Sequence, residues 1–262
     1  MRIRLGHSND PDDAFMVWAL AERRVDPRGF EFELVPADIQ TLNEWALEGR
    51  LEVTALSAAT YPLVEDRYAL LPHGASLGIG YGPIVVTREP MTIERLREVE
   101  LVVPGRMTTA FLVARLALGD LRFRELPFDR ILDEVSEARA DAGLLIHEGQ
   151  LTYDAAGLVK SLDLGEWWQQ ETGLPLPLGV NTVRRDVDRA GELSDVLRES
   201  IDAALEHREE ALAYALRFAR DLDVSDADRF VELYVNDYTR DLGDDGRRAV
   251  AELLSRAATL RS

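Results

Sequence analysis

Alternating runs and helical spacings take turns along the first two thirds of the chain. Ile3 to Leu5 predicts a strand, and the residues after it carry a helix start: Asp10 suits a cap, Pro11 the first helical position, and Asp12 and Asp13 the positive end of the helix dipole. Phe15, Trp18, Ala19 and Glu22 continue that helix with amphipathic spacing, and alternation at Phe30, Phe32 and Leu34 predicts the next strand. A second helix runs from Asp38 through Leu42, Trp45, Ala46 and Leu47 to a stop at Gly49. Val53 to Leu56 then forms a strand that ends at Ser57.

Beyond Tyr68 to Leu71 lies a glycine-rich stretch, Gly74 to Pro83, which leads into the β-branched run Ile84-Val85-Val86-Thr87. A crossover is expected near Arg88 to Pro90. Strands follow at Leu101 to Val103, near Arg122 to Leu126, at Ala142 to Ile146 and at Leu158 to Leu162, with a helix over Thr109 to Leu118; this unit ends near Leu178 to Val183. From Asp188 onward the spacing is helical throughout. The expected fold is α/β with two α/β domains: residues 1–88 form the first part of domain 1, residues 89–180 domain 2, and residues 181–262 return to domain 1 with the C-terminal helices. Such alternation implies mainly parallel sheets covered on both faces, with ligands at the C-terminal strand ends and, for two linked units, in the cleft between them.

Composition narrows the partners. With 46% hydrophobic residues the chain has ample material for a core, and with no cysteine it holds no disulfide, thiolate metal site or cysteine nucleophile. Its formal net charge of −18 opposes nucleic acid and anionic membrane surfaces, so neither is an expected partner. Lys160 is the only lysine, which makes nearly all positive charge arginine. The N-terminal residues lack the apolar core of a signal peptide and no apolar run is long enough to span a bilayer, so a cytoplasmic location is expected. Nothing in the pattern specifies an oligomeric state.

Four histidines are present, and His147 has the most suggestive context, because it ends the apolar run Ala142-Gly143-Leu144-Leu145-Ile146. An imidazole at the C-terminal edge of a buried strand suits a general base; a hydrogen-bonded structural histidine is the other reading, and the residues alone leave both open. Ser57, Thr108 and Thr109 also follow apolar strands, where hydroxyls and helix N-terminal amides can hold an anion or merely cap. Arg106 fits either a substrate carboxylate or a surface ion pair. Gly78-Ile79-Gly80 meets Pro83 where a dinucleotide fingerprint needs its third glycine, and no phosphate loop or histidine pair at metal spacing occurs. Neither cofactor nor metal is expected, and helix capping is taken to account for Asp10, Asp12 and Asp13.

Several segments together resemble the 1,4-dihydroxy-6-naphthoate synthase family of the futalosine route to menaquinone. They are Thr41 to Arg50 (TLNEWALEGR), Pro104-Gly105-Arg106 with Thr108-Thr109-Ala110, Leu145 to Glu148, and Asp163-Leu164-Gly165 with Trp167-Trp168 and Thr172 to Gly179. The resemblance covers nearly the whole chain. It implies the two-domain fold of type 2 periplasmic binding proteins and a lyase that converts cyclic dehypoxanthine futalosine, a small anionic substrate, to 1,4-dihydroxy-6-naphthoate. It further implies His147 as the base and a pocket lined by Asn43, Ala55, Leu56, Ser57, Thr108, Thr109, Ala110 and Leu176. Where the family usually reads Ser-Pro-Cys-Pro-Asn-Asp-Thr-Phe, this chain has Ser8 to Phe15 (SNDPDDAF), so acids stand in place of cysteine and asparagine. Chorismate dehydratase, which shares the fold and a similar aspartate-leucine-glycine segment, and a non-catalytic solute-binding protein are the alternatives.

Overall fold

The computed structural model describes residues 1–219 and 222–260. Two compact units emerge, residues 1–77 with 179–244 and residues 78–178 with 245–262. The expected crossover near Arg88 therefore falls inside the second unit, because the strand ending at Thr87 belongs to that unit's sheet. The last helix likewise counts almost wholly with the second unit.

The first unit opens with β1 (Arg2–Ser8), α1 (Pro11–Ala21), β2 (Glu31–Ala37), α2 (Ile39–Glu48) and β3 (Val53–Ser57), then β4 (Tyr68–Leu70) and β5 (Ser76–Gly78). Its helix starts obey the predicted chemistry. Asp10 accepts the Asp13 N–H above Pro11, and Asp38 accepts the Thr41 N–H, while Gly49 closes α2 at φ 69°, a left-handed turn that favours glycine. The second unit contains β6 (Ile84–Thr87), α3 (Ile93–Leu96), β7 (Glu100–Val103), α4 (Thr109–Leu118), β8 (Arg122–Glu125), α5 (Phe128–Ser136), β9 (Ala142–Leu145), α6 (Gly149–Thr152), β10 (Val159–Asp163) and α7 (Leu164–Thr172). The chain then runs through β11 (Leu176–Arg184) into α8 (Ala190–Glu206), α9 (Arg208–Ala215), α10 (Val224–Tyr234), α11 (Asp237–Arg240) and α12 (Gly243–Thr259).

The first sheet has the order β2-β1-β3-β11-β4, with β5 also on β11, and the second β10-β6-β9-β7-β8. Both are mixed, where mainly parallel sheets were expected. β1 runs parallel to β2 and β3, but β11 is antiparallel to β3 and β4; β7 runs parallel to β8 and β9, but β6 is antiparallel to β9 and β10. The physical reason is that a strand buried on both faces, such as Ile84–Thr87, reads as an unbroken apolar run whichever way it points. Each unit has its own core. In the first, Ile3, Leu5, Val17, Phe30, Val53, Val183 and Leu193 pack together, and a second cluster joins Phe15, Trp18 and Ala19 to Ile201, Ala211 and Val231. In the second, Ile84, Val86 and Val102 pack on Ile131, Val135 and Leu158. No helix among the described residues is long and apolar enough to cross a membrane.

Candidate functional site

In the first unit β3 ends in Ser57, where the chain turns into a 3-10 turn over Ala58–Leu63. The apolar stripe of α2 packs Leu42 and Ala55 together with Leu51, and that packing carries the next residue, Asn43, to the strand end. Asn43 is fully buried and clasps Ser57 twice: its Nδ2 donates to Ser57 Oγ at 3.0 Å, and its Oδ1 accepts the Ser57 N–H at 2.9 Å. Because Ser57 Oγ accepts from Asn43, its own hydroxyl hydrogen is directed elsewhere. Ala55 and Leu56 are core residues by burial, so their contribution at this strand end is shape and backbone.

In the second unit the chain leaves β7 through Pro104 to Met107 and enters α4. Thr108 is the cap: its Oγ1 accepts the Phe111 N–H at 3.2 Å and donates to Gly105 O at 2.8 Å. The Thr109 hydroxyl donates to Leu178 O at 2.8 Å. Both side chains thus hold the loop and the neighbouring strand, and in the first turn of α4 the Ala110 N–H is the donor suited to an anion. Leu176 is fully buried at the start of β11. Arg106 is mostly exposed and engaged by Glu125, which accepts from its backbone N–H at 2.9 Å and from its Nε at 2.7 Å. That pairing holds the Glu125 carboxyl below its usual range and matches the surface-pair reading of Arg106.

His147 lies two residues past β9, just before α6, with φ 52°. This left-handed conformation is uncommon for a side chain with a Cβ, though histidine adopts it more often than most. Phe128, the first residue of α5, meets the imidazole edge to face with ring centroids 4.8 Å apart. Sequence reasoning missed Phe128, since no spacing links α5 to the end of β9; only the sheet order brings them together. The aspartate-leucine-glycine segment also gains a reason. Asp163 caps α7 by accepting the Gly165 and Glu166 N–H groups, and a Cβ on Gly165 would sit 1.9 Å from the Tyr81 carbonyl carbon, so only glycine permits that approach.

The other histidines are placed differently. His7 is buried, with Nδ1 2.9 Å from Ser8 O and its ring edge-on to Phe218; His73 is buried with Nε2 2.9 Å from Ser194 Oγ. Burial lowers the pKa of both, which keeps them neutral. His207 is exposed near Glu210. At the start of α1, ligand oxygens of Asp10, Asp12 and Asp13 lie within 4.8 Å of one another.

Residues 3–259 match a protein family described as menaquinone biosynthesis. A 1,4-dihydroxy-6-naphthoate synthase of Thermus thermophilus is 44% identical over 97% of this chain and 93% of its own, and one of Streptomyces coelicolor 40% over 98% and 93%. A solved structure from Archaeoglobus fulgidus superposes with TM-score 0.93 at 44% identity over 98% of this chain and 97% of the other. A Candida albicans gene product said to exhibit the generic periplasmic binding protein fold superposes with TM-score 0.73 at 13% identity over 100% and 92%, a likeness of fold alone. The fold is thus that of periplasmic binding proteins, and the chain belongs to the menaquinone biosynthesis family, among the 1,4-dihydroxy-6-naphthoate synthases.

Proposed function

We propose that this enzyme is a cofactor-independent lyase that cleaves cyclic dehypoxanthine futalosine to 1,4-dihydroxy-6-naphthoate. The observation that carries the reading is near-full-length identity of 40–44% to two synthases of that name, with a histidine at the edge of a buried strand where the chemistry needs a base. In this reading His147 removes a proton from the bound substrate, and the electron pair released drives the elimination that separates the two halves of the molecule. In the first unit the Ser57 hydroxyl, preset by Asn43, and in the second the Ala110 N–H, in the turn that Thr108 and Thr109 fix, are each donors suited to a carboxylate.

The test is to supply purified protein with cyclic dehypoxanthine futalosine and follow naphthoate formation by absorbance. Turnover by the wild type and a loss of about a hundredfold or more in His147→Ala is the expected result. No product from a folded wild-type enzyme overturns the substrate assignment, and full activity in His147→Ala overturns the base assignment alone. Chorismate in a parallel assay tests the dehydratase alternative, which the Leu174 to Leu178 run and the His147-Glu148 pair disfavour.

A further inference from the structure

Helix α1 begins with three acids in four positions, and capping accounts for only two of them. Asp10 accepts the Asp13 N–H, and Asp13 Oδ2 accepts the Ser8 N–H at 2.5 Å. Asp12 has no such backbone duty. It is 6% exposed; its Oδ2 accepts the Ser76 hydroxyl at 3.2 Å, and its Oδ1 is buried with no hydrogen-bond partner. A charged first-turn acid gains about 0.3–1 kcal/mol from the helix dipole, less than the cost of leaving a buried carboxylate oxygen unsatisfied.

The spacing suits a metal ion. Oxygens from all three acids lie within 4.8 Å of one another, and a triangle with edges of that length has its centre about 2.8 Å from each corner. Calcium binds oxygen at about 2.3–2.6 Å, so a slight contraction reaches it, whereas magnesium at about 2.0–2.1 Å demands a larger one. Ser76, from β5, brings a fourth oxygen to the same place. We propose that Asp10, Asp12 and Asp13 form a binding site for a hard cation of calcium size at the start of α1, separate from the residues assigned to the reaction. The ion would tie α1 to the strand carrying Ser76.

Equilibrium dialysis of the chelator-stripped protein against calcium, at constant ionic strength, reads the site directly. One calcium bound per chain, a saturable rise in Tm with calcium and a smaller rise with magnesium are the expected results. Asp12→Asn keeps the shape and is expected to weaken binding by about tenfold or more, while Asp188→Asn, at an exposed acid, leaves it unchanged. Wild-type protein that takes up no calcium overturns the proposal and assigns the carboxyl cluster a shared proton instead. Wild-type affinity in a folded Asp12→Asn variant overturns it equally, since the ion would then lie elsewhere on the acidic surface.

Discussion

Asn43 and Ser57 show how a single buried amide organises a strand end. The amide satisfies both the Ser57 N–H and its hydroxyl oxygen, so deletion leaves a buried donor unpaired. Asn43→Ala is expected to cost about 1–3 kcal/mol in thermal or denaturant unfolding and, in steady-state assays, to raise KM more than it lowers kcat. His147 stores a small backbone strain at φ 52°. Glycine carries no Cβ penalty there, so His147→Gly is expected to be more stable than His147→Ala by about 1 kcal/mol, a difference that unfolding curves read directly. Ser57, Thr108, Thr109 and His147 were legible as candidates in the sequence because each follows an apolar run, whereas Asn43, Ala110 and Leu176 came in only through the family resemblance. Their contacts were not: the clasp of Asn43 on Ser57 spans 14 residues, and the ring contact of Phe128 with His147 spans 19.

At the scale of elements, caps were legible and close approaches were not. Asp38 to Gly49, and Thr108 with its helix over Thr109–Leu118, appear where cap chemistry and spacing put them. The aspartate-leucine-glycine segment shows the limit. Its aspartate reads as a cap, but the need for glycine comes from the Tyr81-Gly82 backbone, more than 80 residues away in sequence. Gly165→Ala is expected to destabilise by about 3 kcal/mol, because backbone cannot move aside as a side chain can. Gly173→Ala, at the other end of α7 with φ 69° and nothing within 4 Å, is expected to cost only about 1 kcal/mol in the same unfolding measurement.

Over the molecule as a whole, acid is the condition to which stability is most exposed. Glu52 is nearly buried between Arg4 and Arg184; burial alone would raise its pKa, but hydrogen bonds and charge from Arg4, then Arg184, bring it down to about 2. A carboxyl with a depressed folded pKa stabilises above its unfolded value of 4.5 and loses that contribution as pH falls toward 2. His7 and His73 act higher: each is kept neutral by burial, so the unfolded chain gains protons first and stability drops as pH falls below 6.5. Tm measured against pH should therefore decline in two stages. His73→Gln should flatten the upper stage, and Glu52→Gln should lower Tm at neutral pH with a deficit that shrinks below about pH 4. The −18 net charge adds mutual repulsion that salt screens, so these scans need constant ionic strength.

By itself the sequence determined what is local or additive. Caps, apolar periods and the −18 balance act through neighbouring residues or through sums, and so the α/β class, most elements, Ser57 at a strand end, Thr108 at a helix cap and His147 just past a buried strand could be read from it directly. Tertiary structure alone decided what depends on atoms distant in the chain. The antiparallel entry of β6 and β11, the Asn43 clasp, the ring of Phe128 against His147, the backbone under Gly165 and the burial of Asp12 beside Ser76 are of this kind. The physical reason is that strand direction, desolvation and close packing are properties of pairs brought together by the sheets, and no single residue's chemistry announces its partner.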